Sequence, residues 1–490
     1  MLNKNNKITN MKQLIQSTLA ALLLGGPLAG QAQETWPLER CVVYAQDANF
    51  SVLQARANVK VANLAEKQAK AARLPNISVN TNLGEQFGRT IDPTTNQFNT
   101  TGIGYNSLSL NANIPLFNGG QIHHAVKQSR WDAQAAQADA QQTANNLALQ
   151  VAQAYLTILL SEEQLESARR RVTQSERQLS VTLKLIDAGT VPMADKFNIQ
   201  AQIAREEQLA VVAQNNVDLA YLNLKQLMQL EPDYDLRIER PEIVIPADVN
   251  PENYSLQPVY ATALENQPNI KAAEWRIKSA EESIPIAKSA YFPSLSLFGS
   301  LSSNYSSQFL DYENGKYLRT ELSKPVTIRV NDQDVTFQQY LDFYDYPKVP
   351  YFTQIDQNFG QGIGVQLSIP IYQNNRVRLN VERARLGLVN AQMQQNQTRQ
   401  QLKNDIQTSI ANARSARKQL DAAQKTFDAM QAAFSNTEKR HNLGAVNTLD
   451  LTTAKTNLDN AENDLIVARY DYLFKLKILD FYQGKELRLR

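Results

Sequence analysis

The chain has 490 residues, a net charge of +2 with both signs interspersed, and one cysteine, Cys41. The charge leaves no basic footprint for nucleic acid, and a lone cysteine excludes an intrachain disulfide. Only 18 Gly and 18 Pro punctuate the whole length, so the elements must be long, and abundant Ala, Gln, Asn and Leu suit long helices packed by small side chains.

Lys4, Lys7 and Lys12 precede the apolar run Leu19 to Leu24, and Gly30 and Ala32 are small residues placed for cleavage after Ala32. This predicts an export signal over 1–32; the run is too short to be a membrane anchor. Residues 37–73 read as one helix, with Leu38, Val42, Ala45, Leu53, Ala57 and Leu64 along it. Cys41 reads as a small buried apolar residue. Pro75 stops the helix, and the period changes to two: Ile77, Val79 and Leu83 alternate with Ser78, Asn80 and Asn82. The alternation returns in Ser107 to Ile114 and is expected to end at Pro115, giving strands over about 76–84 and 106–115. From Gly120 to Ala188 there is neither proline nor internal glycine. A helix of that length is on the order of 100 Å. Gly189 and Pro192 mark a turn, and a second long helix runs to about Met228. Residues 231–255 hold four prolines and read as an irregular connector.

The chain then repeats itself. Ile114-Pro115-Leu116-Phe117-Asn118-Gly119-Gly120 returns as Ile369-Pro370-Ile371-Tyr372-Gln373-Asn374-Asn375. Gly189 followed by Asp195 returns as Gly444 followed by Asp450, at the same spacing (370 − 115 = 255; 444 − 189 = 255). The duplication divides the chain into a first repeat over 33–230, the connector, a second repeat over 256–484 and a tail over 485–490. In the second repeat a helix to Ala290 is expected to kink or break at Pro285. Strands follow at about 294–302 and 362–370, then helices over about 376–442 and 448–481. The loop 303–360 is longer than its counterpart by 37 residues (77 between Pro293 and Pro370 against 40 between Pro75 and Pro115) and is rich in Tyr, Phe and Asp.

The alternation puts Ile77, Val79, Leu108, Leu110, Leu297, Val365 and Leu367 on one face, and Asn80, Asn82, Asn111, Asn113 and Gln366 on the other. Apolar outside and polar inside is the pattern of a water-filled membrane barrel; a soluble sheet with one wet face shares the period. The uncharged polar face, and Phe117, Tyr291, Phe292 and Tyr372 at the strand ends, favour the membrane. Four strands cannot close a barrel, and an open edge in hydrocarbon costs several kcal/mol per unpaired group. Several copies must therefore share one barrel; three would give twelve strands. Small residues let neighbouring helices pack as coiled-coil-like pairs into a hollow cylinder, and the short links at Pro115 and Pro370 predict that it continues the barrel.

These features together resemble the TolC-like outer membrane efflux protein family over nearly the whole chain: the duplicated helix–strand–strand–helix–helix order, the 114–120 segment, and the paired glycine-and-aspartate turns. The resemblance implies a mainly helical fold with membrane β-structure. It also implies a homotrimer in outer membrane lipid whose twelve-stranded barrel continues coaxially into a periplasmic helical tunnel. Its role would be a passive exit duct for efflux or secretion of small molecules or proteins, coupled by a periplasmic adaptor to an inner membrane transporter. By the same match Asp450 lies at a periplasmic constriction, whose second aspartate position is Thr453 here. Asp195 matches an aspartate that locks the closed state against an arginine, a position held here by Val446. Gly189, Thr190, Val191, Gly444 and Ala445 would meet the adaptor. The plainer account is that both aspartates favour the first turn of a helix and both glycines suit a turn after one.

No catalytic or cofactor chemistry stands out. His123, His124 and His441 read as solvated helix positions, adjacent histidines pointing about 100° apart. Glu162-Glu163 and Glu206-Glu207 read as solvated faces, and no phosphate-binding glycine loop follows a strand. A stand-alone porin and a soluble coiled-coil scaffold remain as alternatives to the duct.

Overall fold

The computed structural model describes residues 35–92, 96–100, 102–241, 250–443 and 445–485. The expected signal segment 1–32, Gly444, the connector's 242–249 and the tail beyond Lys485 lie outside the described residues.

The chain forms two compact units. The first gathers the N-terminal segment to Val61, Gln134–Trp275 and Gln392 onward. It contains helix α1 (Leu38–Ala48), the start of α2 (Phe50–Ala71), most of α3 (Gln121–Asp187), α4 (Ala194–Met228), α5 (Leu256–Asn266), the start of α6 (Pro268–Ser289), most of α8 (Arg376–Asn442) and α9 (Thr448–Tyr482). The repeat is visible element by element: α3 and α8 each have 67 residues, α4 and α9 each 35.

The expected single helix 37–73 is two helices. Asn49 is extended (ψ 130°), and its carboxamide oxygen accepts from the Ser51 amide at 2.9 Å, capping the start of α2. Its Nδ2 donates to the Leu227 carbonyl at 2.9 Å, so the break is also an anchor. The second repeat breaks at the matching place, Gln267, before Pro268 at the first turn of α6. Of the kink or break expected at Pro285, the break does not occur; α6 runs through the proline.

Three hydrophobic clusters lie among the described residues of this unit, one of them formed by Ala416, Leu420, Leu465, Tyr472 and Leu476. Cys41, Ala45, Val52, Val151, Tyr155, Ile158, Leu224 and Met228 belong to another; Val259, Ala263, Ile270, Ile406, Ile410 and Leu479 form the third. Cys41 stands where the second repeat has Val259, fully buried among apolar neighbours, and that burial pushes its thiol up to about 12. Tyr155 donates to the Glu239 carbonyl at 2.6 Å, and Trp36 forms a parallel bridge with Ile238, which pins the described part of the connector to this core.

The second unit, Ala62–Ala133 and Arg276–Ala391, holds a four-stranded antiparallel sheet in the order β1 (Asn76–Gln86), β4 (Ile103–Asn118), β5 (Ser294–Ser306), β10 (Gly360–Ser368). A short pair, β2 (Thr90–Ile91) and β3 (Phe98–Asn99), lies in the first loop. β4 does not end at Pro115. Its register against β5 shifts between Pro115 and Phe117, a bulge, and pairing continues to Asn118. β1 stops opposite Asn113, so the missing Pro115 amide breaks no ladder on that side. Gly119 and Gly120 (φ 61° and 81°) turn the chain from β4 into α3; Asn374 and Asn375 (47° and 60°) do so before α8. Gly119 also has no room for a side chain, because a Cβ would lie 2.5 Å from the Ser289 carbonyl.

The loop 303–360 is not irregular. It contains β6 (Lys316–Leu322) paired with β9 (Tyr340–Asp345), β7 (Val326–Val330) paired with β8 (Gln333–Phe337), and helix α7 (Tyr351–Gln357). Buried Gln354 fixes α7 to the end of β5: its side chain accepts from the Ser306 amide at 2.9 Å and donates to the Ser306 and Val349 carbonyls at 3.0 and 2.8 Å.

Candidate functional site

Two regions carry the residues singled out from sequence. The first is the sheet of the second unit. Directly opposed residues point to the same side, and the registers Asn80↔Ser109, Ser78↔Asn111, Asn76↔Asn113, Asn111↔Ser300 and Ser296↔Gln366 therefore place Asn80, Asn82, Asn111, Asn113 and Gln366 on one face. All five are exposed. β10 adds Gly360, Gly362 and Gly364 to this face, so Gln366 is its main side chain there. Sequence reasoning missed Phe298, which belongs to the same face: it pairs with Asn113 and Gly364, and a Cβ on Gly364 would lie 2.6 Å from its ring.

The other face is aliphatic. Val79 opposes Leu110, Leu110 opposes Leu301, and Leu297 opposes both Ile114 and Val365. Nothing among the described residues covers it: Ile77 is 62%, Val365 60% and Ile363 81% exposed. A contiguous bare aliphatic face of this kind marks a surface made for a partner or a membrane. No described helix is long and apolar enough to cross a membrane. Phe117, Tyr291, Phe292 and Tyr372 are all exposed near the strand ends. The outer strands, β1 and β10, each have one unpaired edge.

The second region is the turn end of the long helices in the first unit. The α3 terminus closes as a Schellman motif, with Gly189 at φ 75°, its amide on the Ile186 carbonyl (2.8 Å) and the Thr190 amide on the Leu185 carbonyl (2.9 Å). Ala445 donates likewise to Arg440 at 2.9 Å. Asp195 lies in the first turn of α4 and accepts from the Thr448 hydroxyl at 2.8 Å; His441 Nε2 is 3.4 Å from that hydroxyl. Asp195 thus meets the start of α9 within the same chain, with Val446 nearby in the same recess. Asp450 is exposed, and its amide is capped by Asn447 at 2.8 Å. Thr453 is exposed one turn on, its hydroxyl on the Leu449 carbonyl at 2.8 Å. Asp195, Asp450, Thr190, Val191 and Ala445 border one recess; Thr453 does not.

Of the residues expected to be solvated, His123 and Glu207 are exposed, but others have protein partners or are buried. His441 is buried. His124 Nδ1 sits 2.6 Å from Glu282. Glu162 accepts from the Tyr221 phenol at 2.8 Å and pairs with Arg240 at 2.7 Å, and Glu206 is buried at 3% exposure with Lys455 Nζ 2.8 Å from its Oε1. Gln202 adds a hydrogen bond to the same oxygen at 2.9 Å, and Lys455 also donates to Ser175. Arg171 reaches Asp459 at 3.5 Å and Glu462 at 3.6 Å, extending an ionic cluster between α3, α4 and α9. Burial pushes the Asp459 carboxyl above the usual range, against the pull of Arg171 and Lys455. Its contribution to stability is therefore full below the ordinary carboxylate range and fades as pH rises through the raised value. Spacing did hold a cue: Leu451, Lys455 and Asp459 occupy successive i, i+4 positions of one buried stripe of α9.

No group of His, Cys, Asp or Glu among the described residues could hold a metal ion. The chemistry of both regions is that of surfaces and walls.

Comparison with known proteins agrees. The chain matches the outer membrane efflux protein family over residues 42–228, 259–335 and 352–484. It belongs to that family. The outer membrane protein TolC of Escherichia coli (strain K12) is 26% identical over 477 residues, covering 93% of this chain and 84% of that protein. The outer membrane efflux protein BepC of Brucella suis biovar 1 is 22% identical over 471 residues, covering 94% and 89%. The solved outer membrane protein VceC of Vibrio cholerae shares the fold at a TM-score of 0.70 and 17% identity, over 92% of this chain and 96% of that one. This member is an outer membrane channel subunit for efflux or secretion.

Proposed function

We propose that three copies of this chain share one barrel, β1 of each pairing with β10 of the next, and that the twelve strands form a passive exit duct. The observation that carries this reading is the open sheet: four strands, a bare aliphatic face and two unpaired edges. In lipid each edge leaves a row of backbone groups unsatisfied at several kcal/mol apiece, and strand addition from a like copy removes that cost on both sides. The face of Asn80, Asn82, Asn111, Asn113 and Gln366 then lines the lumen. Uncharged amides and hydroxyls hydrate a pore without selecting strongly among cargoes. An inner membrane transporter drives export, and a periplasmic adaptor meets the helix tips at Gly189, Thr190, Val191, Gly444 and Ala445.

The constriction is assigned to a ring of three Asp450 side chains, with Thr453 a turn away. Asp195, held by Thr448 of its own chain, braces the start of α9 and so sets where Asp450 points. In planar bilayers a multivalent cation should block the wild-type pore. Removing three ring charges, each worth about 1 kcal/mol in water-filled surroundings, should raise the half-blocking concentration of Asp450→Ala by on the order of a hundredfold. Unchanged block would take Asp450 out of the constriction.

A further inference from the structure

The insertion in the second strand-to-strand loop carries an amphipathic ribbon. β7 and β8 pair with Val326 opposite Phe337 and Ile328 opposite Val335. Their two-residue turn, Asn331-Asp332, has both residues at positive φ (49° and 63°), the geometry that matches strand twist. Val326, Ile328, Val330, Val335 and Phe337 share one side of the ribbon, each 47–49% exposed. The other side is polar and paired within itself: the Thr327 and Thr336 hydroxyls are 2.8 Å apart, and Arg329 meets Asp334 at 3.2 Å. One side is built for water and the other is not. A two-stranded ribbon is marginal on its own, so the apolar side needs cover.

Charge, connectivity and symmetry select the cover. Residues 323–339 carry Lys324 and Arg329 against Asp332 and Asp334, so like ribbons do not repel. The ribbon lies in the loop joining β5 to β10, and β10 is the sheet edge that the three-copy reading joins to the next copy. Each copy therefore brings one ribbon to one seam. Under three-fold symmetry, three equivalent apolar patches can close by converging on the axis.

We propose that the apolar sides of three ribbons pack together about the symmetry axis and form a lid over the outer mouth of the duct. The partner of each ribbon is the same ribbon on the other two copies. The proposal rests on the three-copy reading, and its test separates the two.

Single cysteines are placed in the full-length protein in outer membranes, where buried Cys41 stays silent. Copy number is measured on the same preparations in detergent. Ile328→Cys lies on the apolar side and Thr327→Cys on the polar side. Mild oxidation should convert most Ile328→Cys chains to disulfide-linked dimers, whereas side chains pointing apart cannot bridge, so Thr327→Cys should give about tenfold less. Ile328→Asp should raise the single-channel conductance. Trimeric preparations in which both cysteines cross-link equally, or in which a membrane-impermeant thiol reagent modifies Ile328→Cys from outside as fast as Thr327→Cys, would overturn the lid and leave the trimer standing. Shielding of Ile328→Cys in lipid that is lost in detergent, without cross-linking, would assign the ribbon to lipid and also overturn it. A particle that is not trimeric defeats the underlying reading instead.

Discussion

Val365→Arg should prevent assembly of the channel in the outer membrane. Val365 sits in β10 on the aliphatic face, opposite Leu297 and 60% exposed within the chain. An arginine at the midplane of a lipid-facing barrel surface costs about 2–4 kcal/mol. A trimer carries three, roughly 6–12 kcal/mol in all, comparable to the whole folding stability of a typical domain, about 5–15 kcal/mol. The neighbouring variant Gln366→Arg places the same charge on the opposite face. It should assemble normally and shift the pore's ion selectivity toward anions. Heat-resistant oligomer in outer membrane fractions, followed by reversal potentials in bilayers, reads both effects. Equal assembly of the two variants would show that the aliphatic face does not meet lipid.

Glu206→Ala should destabilise the helical unit by about 3–5 kcal/mol, because it leaves the Lys455 ammonium buried without its carboxylate. Ser175 stays in place but carries no charge to offset it. Replacing both partners by apolar residues of similar size, Glu206→Leu with Lys455→Met, removes the stranded charge and should recover most of the loss. Denaturant titration of the detergent-solubilised protein gives the comparison. A single variant that loses less than about 1 kcal/mol would mean the pair behaves like an exposed ion pair. Glu207, next along α4 and exposed, is the matched control and should be near neutral on substitution to Ala.

The long elements were legible because nothing interrupts them. α3 and α8 match the proline-free stretches read from sequence, and the alternation in β1, β4, β5 and β10 put every amide residue chosen for the lumen on one face. Period two is unambiguous when one face is aliphatic and the other Ser or Asn. Failures came where one local signal stood for a tertiary one. Asn49 is a cap only because its side chain turns to serve Ser51 and Leu227, and no proline or glycine announced the break. Pro115 looked like a strand end because a bulge is invisible without the partner strand. The strands at 316–345 were hidden because β6 and β9 mix Tyr, Leu, Arg and Asp on both faces.

The buried ionic cluster failed for a different reason. Charged residues at helical spacing usually mark a solvated face, and the stripe through Leu451, Lys455 and Asp459 differs in meeting charged and polar partners on α3 and α4. The turn end was legible in its backbone and not in its partners: the glycine turn followed from residue type, whereas the contact of Asp195 with Thr448 depends on how α4 and α9 meet.

The central claim is that a sheet too small to close on itself is completed by identical copies. Native mass measurement of the detergent-extracted protein tests it most directly, and three chains per particle is the predicted result. A single chain that stays dispersed and folded without detergent would contradict it.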